Sequence, residues 1–276
     1  MKDYLIGLVS QKEGYNEKLN LMREYLQAYI LRVMHKEGVF RSTAFLGGTA
    51  LRFLYDLPRF SEDLDFSLEG KPKIGFSSVL KKIMFELKAS GYEVSAVYDD
   101  TKTVNSAFIK FSGLMFEAGI SPLRNQKFSL KIEIDNNPPR GAVLETRVVN
   151  KYFPISFLSY EVNSLFAGKL HALLSRKYAK GRDYFDLGWY LSKWNDLQPN
   201  IVLLTNALRQ TGWKESMPDK DDWRQIIYDA VNKTNWAKVK KDVENFLDNP
   251  SDLSVFTKDN VLGLIKPQKS PAFKPD

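Results

Sequence analysis

The segment Thr43-Ala44-Phe45-Leu46-Gly47-Gly48-Thr49 narrows the fold more than any other stretch of this chain. Its short apolar run reads as a strand. The glycine pair that closes it leads into Ala50, Leu51, Phe53 and Leu54, spaced for a short helix that Pro58 stops. Leu64-Asp65-Phe66-Ser67-Leu68 then alternates like a second strand. Before this unit, Leu19, Met22, Leu26, Ile30 and Val33 mark an amphipathic helix from Tyr15 to Met34 that ends near Gly38. After it come a helix from about Ser77 to Ser90, ended by Gly91, and strands at Tyr92 to Tyr98, Ala107 to Phe111 and Ser129 to Ile134. This order describes a compact α/β or α+β domain with a mixed sheet up to about Asn150.

From Tyr160 onward the period is helical: Val162 to Tyr178, Arg182 to Trp194, Ile201 to Arg209, and segments around Trp223 and Trp236. The expected organisation is a sheet domain over 1–150, a helical bundle over 151–265 and a Pro/Lys-rich mobile tail over 266–276.

Composition removes whole classes of chemistry. The chain has no cysteine, which excludes disulfides, thiol nucleophiles, iron–sulfur clusters and cysteine zinc sites, and only two histidines, His35 and His171. Any metal must then rest on Asp and Glu oxygens, which favours Mg²⁺ or Mn²⁺. Forty Lys and Arg against thirty-three Asp and Glu give a net charge of +7, suited to a polyanionic partner or simply to solubility. No apolar stretch is long enough for a membrane span, and the N-terminus does not read as a signal peptide, so the expected location is the cytoplasm.

The candidate chemistry begins at the glycine turn. Gly47 and Gly48 allow a phosphate to approach the backbone, and the N–H groups of the following helix and the Thr49 hydroxyl are donors for its oxygens; a plain turn is the alternative. Asp63 and Asp65, two residues apart on an extended strand, share a face, while Leu64 and Phe66 turn to the core. Paired carboxylates repel unless a cation lies between them, so the pair suits one or two divalent ions; a solvated edge strand is the competing reading. In Ser129-Leu130-Lys131-Ile132-Glu133-Ile134-Asp135, alternation puts Lys131, Glu133 and Asp135 on one face. Glu133 is the first choice as third acid and Asp135 the reserve.

A second block lies in the helical half. Lys169 lies mid-helix with Arg176 and Lys180 following at i+7 and i+11, so the three are expected to form one basic stripe on a single helix face, turned to triphosphate, an RNA backbone or solvent. Asp183 and Asp186 open the next helix, where acids suit the dipole and Arg182 is placed to pair with Asp186. His171 reads as packing or polar surface, and His35 as a partner of its helix C-terminus.

Gly47-Gly48-Thr49, then Arg59-x-Ser61-x-Asp63-Leu64-Asp65-Phe66 and a later acid-bearing strand, resemble the DNA polymerase β-type nucleotidyltransferase superfamily. Gly168-Lys169-Leu170-His171 through Arg182-Asp183-Tyr184-Phe185-Asp186-Leu187 is similar to the lysine and Arg-Asp-x-x-Asp motifs of its AbiEii/AbiGii toxin branch. The resemblance covers roughly residues 40 to 190. It implies an α+β nucleotidyltransferase domain followed by helices, with NTP as substrate and Mg²⁺ or Mn²⁺ as cofactor. Asp63, Asp65 and Glu133 are then expected as metal ligands, and Gly47, Gly48, Thr49, Arg59, Ser61, Lys169 and Arg182 around the nucleotide. Asp183 and Asp186 are expected to orient Lys169 or the acceptor hydroxyl.

The resemblance also implies a toxin of a toxin–antitoxin or abortive-infection pair. Its expected acceptor is the 3′ end of tRNA, and its expected antitoxin a winged-helix transcription regulator. Rival readings are an NTP-binding module without turnover, transfer to a protein or small molecule, and a basic RNA-binding scaffold.

Overall fold

The computed structural model describes residues 1–266, so the expected tail beyond Lys266 lies outside the described residues. The chain divides into a sheet unit, residues 1–138 with 143–161, and a helical unit, residues 139–142 with 162 onward.

The sheet unit begins with helices α1 (Lys2–Ser10) and α2 (Tyr15–Lys36). Glu17 starts α2 by accepting the Gly14 N–H at 3.4 Å, and Gly38, at φ 72°, turns the chain away after it. Strand β1 (Thr43–Leu46) runs straight into α3 (Gly47–Tyr55), as the glycine turn predicts, and β2 (Leu64–Leu68) returns beside it. Then come α4 (Phe76–Ala89), β3 (Val94–Asp99), β4 (Val104–Phe111), a single turn α5 (Leu114–Glu117), β5 (Phe128–Asp135), β6 (Leu144–Asn150) and β7 (Pro154–Tyr160).

The seven strands form one mixed sheet in the order β3-β4-β5-β2-β1-β7-β6. β2 pairs antiparallel with β1 and parallel with β5, so both acid-bearing strands are interior and adjacent. β1 pairs parallel with β7, and the Ser159 hydroxyl on β7 donates to the Phe45 carbonyl at 2.9 Å. This pairing carries the sheet unit past the expected boundary at Asn150, to Glu161. Phe45 anchors the core below the site, its ring centroid 5.3 Å from that of Phe66 and 5.1 Å from that of Phe157.

The helical unit consists of α6 (Val162–Ser175), α7 (Gly181–Lys193), α8 (Ile201–Gln210), α9 (Trp223–Lys233), α10 (Trp236–Val243), a short α11 (Asp252–Val255) and α12 (Lys258–Ile265). Phe166 holds its centre, 4.7 Å from the Tyr190 ring and 5.6 Å from that of Trp223. Because α6 stops at Ser175, Arg176 falls beyond it and Lys180 is the N-cap of α7. The expected single-helix stripe of Lys169, Arg176 and Lys180 is therefore corrected: the periodicity of these charges runs across a break in the backbone.

Candidate active site

The first cluster belongs to the sheet unit. Leu64 and Phe66 are buried while Asp63 and Asp65 are half-exposed, the division that strand alternation demands. On the neighbouring strand Leu130, Ile132 and Ile134 are buried, and Lys131, Glu133 and Asp135 share the half-exposed face. The parallel register sets Asp65 beside Glu133 and Ser67 beside Asp135. Glu133, the first choice as third acid, is thus the one paired with the central aspartate.

The glycine turn is pressed against this acid face. Gly47 adopts φ 79°, and a Cβ there would collide with the Asp65 carboxylate. A Cβ on Gly48 would lie 2.8 Å from both an Arg59 guanidinium nitrogen and the Ser61 hydroxyl, so these two groups converge over its bare backbone. Arg59 is almost wholly buried, and its guanidinium donates to the Phe60 carbonyl at 2.8 Å. The α3 N-terminus, two glycines, a guanidinium and a hydroxyl together make an anion-accepting corner beside carboxylates.

Thr49 occupies a different position from its expected one. It is fully buried and its hydroxyl donates to the Asp63 carbonyl, so in this structure it anchors the start of the acid strand. Further support comes from residues that sequence reasoning missed. Gln27 donates from one amide nitrogen to the Ser61 and Glu62 carbonyls, each at 3.1 Å, tying the loop to α2. Arg52 pairs with buried Glu24, donates to the Leu57 carbonyl at 3.1 Å, and stacks its guanidinium 3.9 Å from the Phe60 ring centroid. Lys151 and Tyr152 complete the Glu24 cluster at 3.2 and 2.8 Å. These contacts fix both sides of the Arg59–Ser61 loop.

Lys131 is the other missed residue. Its ammonium lies 2.8 Å from the Glu133 carboxylate. Burial pulls its pKa down, but the Glu133 hydrogen bond and charge, with the charges of Asp63 and Asp65, outweigh that and hold it above the ordinary lysine value. Among the described residues no three His, Asp or Glu side chains stand ready to hold a metal ion, so Asp63, Asp65 and Glu133 are not a preassembled cage. Their chemistry nevertheless fits a hard divalent cation: the donors are carboxylate oxygens, two of them are register neighbours, and a cationic side chain already sits among them.

The second cluster belongs to the helical unit. Lys169 on α6 meets Asp186 at 2.7 Å and Asp183 at 3.4 Å, both on α7, and Arg176 meets Asp183 at 3.0 Å. Asp186 is fully buried and Asp183 nearly so, which makes this a desolvated ionic knot. The Arg182 guanidinium lies 4.2 Å from the Phe246 ring centroid. His171 is 3.1 Å from the Thr211 hydroxyl, outside the knot.

A family model described as nucleotidyl transferase AbiEii toxin, type IV toxin–antitoxin system, matches residues 29–258. The chain belongs to this family. The matched span takes in both clusters, and the resemblance read from the motifs is the family found. Two solved structures share the fold at 20% identity. One, from Helicobacter pylori and described provisionally as a nucleotidyltransferase, has a TM-score of 0.53 with 88% of this chain and 90% of that chain covered. The other, JHP933 from Helicobacter pylori, has a TM-score of 0.52 with 89% and 88% covered. No curated protein matches. Family and neighbours establish the polymerase β-like α+β fold of the AbiEii nucleotidyltransferases. No helix among the described residues is long and apolar enough to cross a membrane.

Proposed function

We propose that this AbiEii-family protein transfers a nucleoside monophosphate from an NTP to the 3′ end of tRNA, in a Mg²⁺- or Mn²⁺-dependent reaction. The observation that carries the reading is the pairing of Asp65 with Glu133 directly against the Gly47–Gly48 turn, with Arg59 and Ser61 over that turn. Phosphate-binding and cation-binding groups are thereby adjacent within one unit, the combination phosphoryl chemistry requires.

In this reading the bare backbone of Gly48 admits the triphosphate, and Arg59 and Ser61 supply charge and hydrogen bonds to its oxygens. Asp63, Asp65 and Glu133 are the residues that would hold the metal. A divalent ion held there supplies Lewis-acid charge that offsets the negative charge opposing attack at the α-phosphorus. The acceptor hydroxyl gives up its proton to water as its oxygen bonds to that phosphorus, the bond to the bridging oxygen breaks, and pyrophosphate carries away that bond's electron pair. Lys169, held by Asp183 and Asp186, is the preorganised cation the family resemblance assigns to phosphate.

The net charge of +7 supports an RNA acceptor, and the family supports a cognate antitoxin, which we take to be a winged-helix regulator. Expression of the chain alone in bacteria tests the toxin role. Growth arrest by the wild type, relieved in Asp65→Ala at equal protein level, is the expected result. Equal arrest by both overturns the site.

A further inference from the structure

Lys131 lies where a cation is wanted. Strand alternation puts it on the face of Glu133, and extending the β2–β5 register by one residue sets it opposite Asp63. Its ammonium is 2.8 Å from Glu133, and the charges of Asp63 and Asp65 act on it too. Across the sheet it pairs with Phe108, whose ring centroid is 5.7 Å from the ammonium. Beside it opens a cleft of about 360 Å³, lined by Tyr15, Arg23, Asp63, Phe108 and Gln126 among others. The side chain therefore has both a seat among the acids and room to leave it.

Resting on the metal-dependent reading above, we infer that Lys131 is a tethered counter-ion of the acid face: it occupies the cation position in the metal-free protein and gives way when a divalent ion enters. Carboxylates on one face of neighbouring strands repel one another when no cation offsets their charge. A lysine among them removes that repulsion, so the acid face folds without metal. The same charge opposes the incoming ion, because two cations cannot share the carboxylates without repulsion. Divalent ions then bind only by breaking the Lys131–Glu133 pair. The device makes metal affinity weak in the empty enzyme. It also leaves a mobile cation over Phe108 once the metal has bound.

The test is Mn²⁺ binding to the full-length protein without nucleotide, followed by calorimetry and by the free-ion electron paramagnetic resonance signal. Variants are Lys131→Met, which keeps the aliphatic stem, and Lys131→Gln as a second neutral substitute. Both are expected to bind Mn²⁺ about tenfold tighter than wild type or more, from loss of a like charge within a few ångströms. Both are also expected to melt lower than wild type without metal and to recover more of that loss at saturating Mn²⁺. In the Lys131→Met background, Asp65→Ala is expected to abolish the gain.

Unchanged or weaker Mn²⁺ affinity in both neutral variants, with binding still dependent on Asp65, overturns the counter-ion role and leaves the metal site standing. No Asp65-dependent binding in any form overturns both readings.

Discussion

The Asp65 side chain lies directly against Gly47, its Cβ 3.0 Å from the point where a Gly47 side chain would begin. Gly47→Ala is therefore expected to act twice. It strains a backbone at φ 79°, a cost of about 1–2 kcal/mol, and it pushes the carboxylate off the acid face. Gly48→Ala has no such backbone strain, but its methyl displaces Arg59 and Ser61. Thermal denaturation with nucleotide titration checks both. Gly47→Ala should lower Tm and activity together, and Gly48→Ala should weaken NTP binding with the smaller loss of Tm. Wild-type NTP affinity in Gly48→Ala removes the turn from the phosphate site.

Thr49→Val keeps the side-chain shape and removes the hydroxyl held by the Asp63 carbonyl. A buried hydrogen bond of this kind contributes about 1 kcal/mol. The variant is expected to melt lower and to lose turnover through a looser Asp63, with NTP affinity unchanged. A fall in NTP affinity at unchanged Tm restores the phosphate contact that the sequence suggested.

Lys169→Ala removes a cation that is 12% exposed from two aspartates that are 0% and 4% exposed. Breaking such a buried pair from one side costs about 3–5 kcal/mol. Loss of toxicity in this variant is thus expected to accompany loss of fold, seen as a large drop in Tm. Lys169→Arg, which keeps the charge, should restore most of the stability. A Lys169→Ala protein that melts like wild type contradicts the knot.

Burial, reinforced by the Arg176 charge, lowers the His171 pKa below its ordinary value near 6.5. The unfolded chain then takes up the proton more readily than the folded one, so stability falls as pH drops through about 6.5 and below. Chemical denaturation at pH 5.0 and 7.5 is expected to show this loss in wild type and a smaller one in His171→Gln. An equal loss in both assigns the acid sensitivity to other groups.

Much of the sheet unit was legible because its signals are local. Alternation named the buried and exposed faces of β2 and β5, and the glycine pair marked the β1-to-α3 turn. What alternation does not carry is register. Lys131 was visible only as a residue on Glu133's face, since its place beside Asp63 depends on the parallel pairing of strands far apart in sequence. Glu24, Gln27 and Arg52 are polar helix residues with no local sign of burial, yet each is buried because another element supplies its partner. The stripe of Lys169, Arg176 and Lys180 failed for the opposite reason, since charge spacing continues unbroken where the helix does not. β7 escaped because its pairing with β1 is also long-range.

The most direct measurement is transfer itself. Purified protein is incubated with total bacterial tRNA, Mg²⁺ and each α-labelled NTP in turn, beside the Asp63→Ala plus Asp65→Ala double variant. The account predicts label on tRNA with one nucleotide and none in the double variant. Label that persists in the double variant, or that enters no RNA, protein or small-molecule fraction of a bacterial extract with any nucleotide, contradicts it.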